Sequence, residues 1–104
     1  MGDETRHATE MAEQTYPGEE HNLRGDALRH MLWQGETAQH YGDIPAAALG
    51  WGHEILSADS AAENAMDTHN NALGRQLGAE SATREELLQK AMDAIAAGKA
   101  KTLK

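Results

Sequence analysis

The feature that most restricts this chain is a helix-forming run broken up by residues that disfavour helices. Met66-Asp67-Thr68-His69-Asn70-Asn71-Ala72-Leu73-Gly74-Arg75 sits inside a longer segment rich in Ala, Leu and Glu. At about 100° per residue, that segment sorts into two faces. Ala62, Met66, His69, Leu73 and Leu77 form an apolar stripe, expected to be the core side. Glu63, Asp67, Asn70, Asn71 and Gly74 share the other face, a polar cluster with a gap where a side chain is missing. Asn and Gly are poor helix formers, so Asn70, Asn71 and Gly74 lower the helix's own stability. Local rules broken in this way tend to be broken at functional sites.

The flanking sequence completes an all-α fold, a small bundle of four to five helices. Residues 1–21 read as a polar N-terminal arm or helix. Its few apolar members (Ala8, Met11, Ala12) predict that it is loosely held, and Tyr16-Pro17-Gly18 stops it. A single helical domain is expected over 22–98. Asn22 is placed as the N-cap of a helix running to about Tyr41, with Gly42 at its end. Ala27, Leu28, Met31 and Leu32 supply its core stripe, while Gly25 and Gly35 admit another backbone. Asp43-Ile44-Pro45 opens a third helix whose run 46–56 is apolar almost all round, so it is expected to be the most buried. Asp59 or Ser60 caps a fourth helix, which Gly78 is expected to end. Thr83 with Glu86 makes a capping box for the last amphipathic helix, ending at Gly98. Residues 99–104 form a basic tail, expected to fray.

Composition narrows the chemistry. The absence of cysteine removes disulfides, iron–sulfur clusters and thiolate zinc sites. No apolar run approaches the roughly 18 residues of a membrane span, and no basic-then-apolar amino terminus marks a secretory signal. The expectation is a soluble, cytoplasmic protein unless it is exported by a route not encoded in this chain. Of the net charge of −8, residues 1–80 hold fourteen acids against four arginines, and all four lysines fall at or beyond Lys90. A body this acidic repels phosphate backbones, which argues against nucleic acid as the main ligand. It suits a cation or a basic protein surface.

Three segments carry ionisable groups able to converge: Asp26/Arg29/His30, His53/Glu54 and Asp67/Asn70/Asn71. Side chains from facing helices of a bundle can hold a metal or activate water, and imidazole with carboxylate suits zinc, manganese, iron or nickel. Position 57 is Ser, so His53-Glu54 does not extend to a His-Glu-x-x-His zinc helix. EF-hand, P-loop, dinucleotide and nucleophile-elbow motifs are absent. Plainer roles stand beside these. His30 is spaced to pair with Asp26 within one helix, and His69 lies on the apolar stripe. His7, His21 and His40 read as solvated, and Trp33 and Trp51 as packing residues. Asn70 and Asn71 are also able to bond a neighbouring loop.

The series Asp26-Ala27-x-Arg29-His30-x-x-Trp33, then His53-Glu54, then Met66-Asp67-x-x-Asn70-Asn71-x-x-Gly74-Arg75 resembles a bacterial and phage family of helical domains without an assigned reaction. Its members occur as small proteins and as C-terminal modules of polymorphic-toxin-like proteins. The resemblance spans about residues 22–78 and implies an all-helical fold with these polar residues as its signature.

Three functions follow as expectations. The first is a small hydrolase, with or without metal assistance, with His30, His53, Glu54 and Asp67 as catalytic groups and, in the metal-assisted form, a divalent metal on His30, His53 and Asp67. In it Glu54 is general acid or base, while Arg29, Asn70, Asn71 and Trp33 bind substrate. The second is a non-enzymatic acidic inhibitor or counter-defence factor that occludes a basic surface on a protein partner. The third is a structural or assembly protein that self-associates through the Ala/Gly-rich third helix.

Overall fold

The computed structural model describes residues 2–19, 21–56 and 60–103, with residues 2 and 53–56 described by their backbone alone. Among the described residues the chain is all-α. Its helices are α1 (Gly2–Thr15), α2 (Arg24–Tyr41), α3 (Asp43–Leu56), α4 (Ala61–Ala79) and α5 (Arg84–Ala96).

The central helix is α2, which packs against all four others. Leu28, Met31 and Leu32 of α2 join Ala8 and Ala12 of α1 and Leu87 and Ala91 of α5 in one buried core. The expectation of a loosely held first helix is therefore overturned: its two small alanines let α1 lie close against α2. Asn22 also departs from its expected role. Leu23 is the N-cap of α2, while Asn22 adopts a left-handed φ of 61°, a conformation that Asn tolerates better than most residues. Ser60 does cap α4, within a full capping box to Glu63. Gly42, at φ 97°, closes α2 as expected.

The seam between α2 and α4 is made of glycine. A Cβ on Gly78 would lie 2.5 Å from Gly35 O, one on Gly35 would lie 2.8 Å from Gly74 O, and one on Gly74 would run into the Met31 backbone. Gly78 therefore does not end α4 but sits inside it, as a contact point. This seam also inverts the expected orientation of α4. The buried residues are Met66, Asp67, Asn70, Asn71, Gly74 and Gly78. Of the stripe taken for the core side, Ala62 and His69 are exposed and Leu73 and Leu77 are half-buried.

The third helix is not the most buried. Ala46 and Gly50 are covered, yet Ile44 is 82% exposed and Trp51 is 70% exposed. Among the described residues, only α2 and α4 pack against it, so an apolar surface is left with one uncovered side. The tail does not fray over its described length. Asn70 clasps Lys101, donating from Nδ2 to its carbonyl at 2.8 Å and accepting from its N–H at 2.9 Å. Leu103 N–H reaches Asn22 O at 2.9 Å, and His69 Nε2 donates to Lys99 O at 2.7 Å.

Candidate metal centre

Where two backbones approach this closely, only short side chains fit between them, and Asp and Asn are the short polar ones. The i, i+4 pair Asp26 and His30 on α2 faces the i, i+4 pair Asp67 and Asn71 on α4 across the N-terminal half of that seam. His30 Nε2 lies 3.2 Å from Asp67 Oδ1 and 3.4 Å from Asp26 Oδ1. His30 Nδ1 lies 2.9 Å from Asn71 Oδ1. All four residues are at most 5% exposed.

The hydrogen bonds fix the histidine's chemistry. An amide oxygen only accepts, so His30 Nδ1 carries the proton that Asn71 Oδ1 receives. Nε2 then points its lone pair, or a second proton, at the two carboxylates. A bonded Nδ1–H with Nε2 turned toward the carboxylates is the arrangement that orients metal-binding imidazoles, provided Nε2 gives up any proton it shares with those carboxylates when a cation enters. Donor atoms around one such ion are spaced by roughly 3–3.5 Å when each sits at about 2.0–2.2 Å from it. The two His30–carboxylate distances match that spacing, and the ligand atoms of Asp26, His30 and Asp67 all fall within 4.8 Å of one another.

Asp26 is kept ionised. Burial pushes its carboxyl up, but the bonds from His30, the Asn22 amide and Arg29 outweigh burial and hold it well below the usual carboxylate range. Asn22 N–H donates to Asp26 Oδ2 at 2.9 Å, and Arg29 Nη2 donates to Asp26 Oδ1 at 2.7 Å. The left-handed turn at Asn22 thus positions an amide for the site. Asn22 Nδ2 also donates to Glu63 Oε2 at 3.1 Å, tying this turn to the start of α4. A cavity of about 150 Å³ opens beside the triad, lined by Thr5, Arg29, His30 and Trp33. The ring of Trp33 stands edge-on to that of His30, with centroids 6.4 Å apart.

Of the residues expected in the site, His30, Asp67, Asn71, Arg29 and Trp33 are gathered here. Asn70 is not; its amide holds the tail. His53 and Glu54 lie on α3 with side chains outside the described residues. Asp26, read from the sequence as a helix partner of His30, is both that partner and a third member of the triad. Its i, i+4 spacing was the signal for the role.

A second polar cluster was not anticipated. His7 Nδ1 lies 2.7 Å from buried Glu36 Oε2, and Arg84 Nε lies 2.9 Å from Glu36 Oε1. His40 Nδ1 lies 3.1 Å from buried Glu4 Oε2. His7 is therefore a half-buried partner of a buried acid rather than a solvated side chain, while His40 is exposed as expected and also meets a buried acid.

A family model described as "Domain of unknown function (DUF6973)" matches residues 2–99. No curated protein and no solved structure matches the chain.

Proposed function

The chain belongs to this domain family, and from the geometry of its α2–α4 seam we propose that it is a small metal-assisted hydrolase. The observation that carries this reading is the buried Asp26–His30–Asp67 group, drawn from two helices, with its ligand atoms within 4.8 Å beside a cavity. Asp26, His30 and Asp67 hold a divalent cation, and Asn71 fixes the imidazole. Such an ion supplies acidified water and polarises the bond to be cleaved. Arg29 supplies the positive charge now beside Asp26. It lies at the mouth of the cavity, where its 40% exposed side chain is free to turn toward an anionic group of the substrate. Trp33 offers a flat wall. His53 and Glu54 are assigned, by residue type, as a further imidazole ligand and as the general acid or base. A setting among bacterial or phage toxin-like proteins accords with the signature around these residues.

The reading is tested by thermal melting of resin-treated protein with and without zinc, manganese, nickel and calcium, beside a panel of phosphoester, peptide and glycan substrates. A cation that raises the melting temperature of the parent but not of His30→Ala, and that is required for turnover of one substrate class, supports it. If no cation moves the melting temperature, Asp26–His30–Asp67 is an internal ion network and the proposal fails.

A further inference from the structure

A groove of about 250 Å³ lies between α3 and α4, lined by Ala47, Gly50, Trp51, Thr68, Asn71 and Arg75. Its polar groups are unbalanced. Asn71 Oδ1 is taken by His30, and Gln34 Oε1 is taken by Arg75 Nη1 at 2.9 Å. Gln34 Nε2 is buried and has no partner among the described residues. The Gln34 amide and Asn71 Nδ2 meet directly beneath Gly50, where a Cβ would lie 2.9 Å from Gln34 Oε1 and 3.2 Å from Asn71 Nδ2. Among the described residues, Arg75 meets one carboxylate, exposed Asp43, at a loose 3.5 Å. The groove thus presents the Asn71 side chain and the Arg75 guanidinium, while Asn71 Oδ1 and Gln34 Oε1 are already engaged. Trp51, 70% exposed, forms an indole wall beside them.

We propose that this groove binds a small ligand that carries one oxyanion, a carboxylate or phosphate, on a flat ring. Arg75, Asn71 and Thr68 take the oxyanion, and the Trp51 indole takes the ring face. The net charge of −8 selects against a polyanion, so the ligand bears a single anionic group. The site stands whether or not the Asp26–His30–Asp67 triad holds a metal, because none of its groups on the ligand side is a member of that triad.

The test is a ¹H–¹⁵N spectrum of metal-free, resin-treated protein titrated with benzoate, phenyl phosphate and, as the neutral comparator, benzyl alcohol. The expected result is a saturable shift of the Trp51 indole N–H and the Asn71 side-chain amide with at least one anion, and none with the alcohol. The tighter of the two anions identifies carboxylate or phosphate as the recognised group. Arg75→Gln and Trp51→Ala each weaken binding about tenfold. Trp51→Ala melts as the parent does, since the side chain removed is mostly exposed. Absence of a saturable shift with both anions, equal binding of benzyl alcohol, or parental affinity in Arg75→Gln overturns the proposal. If both anions fail while a divalent cation still raises the melting temperature, the groove reading falls alone.

Discussion

Two polar clusters are buried against α2, one at its N-terminal half and one at its C-terminal half, and they treat their carboxylates in opposite ways. In the second, Glu36 meets His7 of α1 and Arg84 of α5, and Glu4 meets His40. Burial still pushes the Glu36 carboxyl up, with His7 and Arg84 offsetting only part of that cost. In the first, Asp26 is held down despite burial, because His30, the Asn22 amide and Arg29 all bond its charged form. Two carboxylates there share one imidazole, and a cavity reaches it. A carboxylate that is already deprotonated takes up a metal without first having to release a proton. Buried acid is thus not a site by itself. One cluster fastens three helices together, and the other keeps Asp26 charged and sets three ligand side chains close around one point.

The sharpest way to break this contrast is Gly74→Ala. Its methyl group would meet the Met31 backbone, which has no rotamer to yield. Separating α4 from α2 parts Asp67 and Asn71 from His30 and leaves the α1–α2–α5 cluster untouched. The expected loss is about 2–4 kcal/mol in denaturant unfolding, together with any cation response. A variant as stable as the parent would show that the seam does not need its missing side chains. Next in size is the pair Asp67→Asn and Glu36→Gln. At about 100 times its dissociation constant, a cation adds about 2.7 kcal/mol. This increment should vanish in Asp67→Asn and persist in Glu36→Gln, read as a shift in melting temperature. An equal shift in both would move the metal away from Asp67.

Much of the site was legible because it is local. Asp26 with His30 and Asp67 with Asn71 are i, i+4 pairs, and each pair shares a helix face whatever the tertiary fold. The inward face of α4 was misjudged for a physical reason. Periodicity weighs the apolarity of side chains that are present, while this seam is set by side chains that are absent at Gly35, Gly74 and Gly78. Leu73 and Leu77 still touch the core, but from its edge. The overestimate for α3 has a related origin: apolar residues predict burial only if enough chain remains to cover them. The contacts of His7 with Glu36 and His40 with Glu4 span 29 and 36 residues, beyond the reach of any local pattern.

The pH dependence of stability sharpens the contrast further. Asp26 has a folded pKa below its ordinary value of 3.8, so the unfolded chain takes up this proton first. Its contribution is complete above about pH 4 and is lost as pH falls toward the folded pKa. Glu36 has a folded pKa above its ordinary 4.5, so the folded chain holds this proton longer. Its contribution is present below that value and is lost as pH rises through the folded pKa. Asp26→Asn should therefore flatten the acid limb, and Glu36→Gln the limb above pH 4.5, in unfolding free energy measured across pH. Swapped limbs would reverse the assignment of which acid is kept charged.

The smallest expected effect tests whether the two clusters are independent. His7→Ala removes one bond to Glu36 at 2.7 Å and leaves Arg84 in place, so it should cost about 1 kcal/mol. Because Glu36 then loses a group that lowers its pKa, the slope above pH 4.5 should steepen in this variant. Combined with Asp67→Asn, which lies on a helix outside this cluster, the two losses should add within about 0.5 kcal/mol. Combined with Glu36→Gln, they should fall short of additivity, since both changes remove the same bond. Strong coupling between His7 and Asp67 would mean that α2 carries strain from one cluster to the other. The C-terminal cluster would then be part of the metal centre's support rather than a separate fastening of α1 and α5.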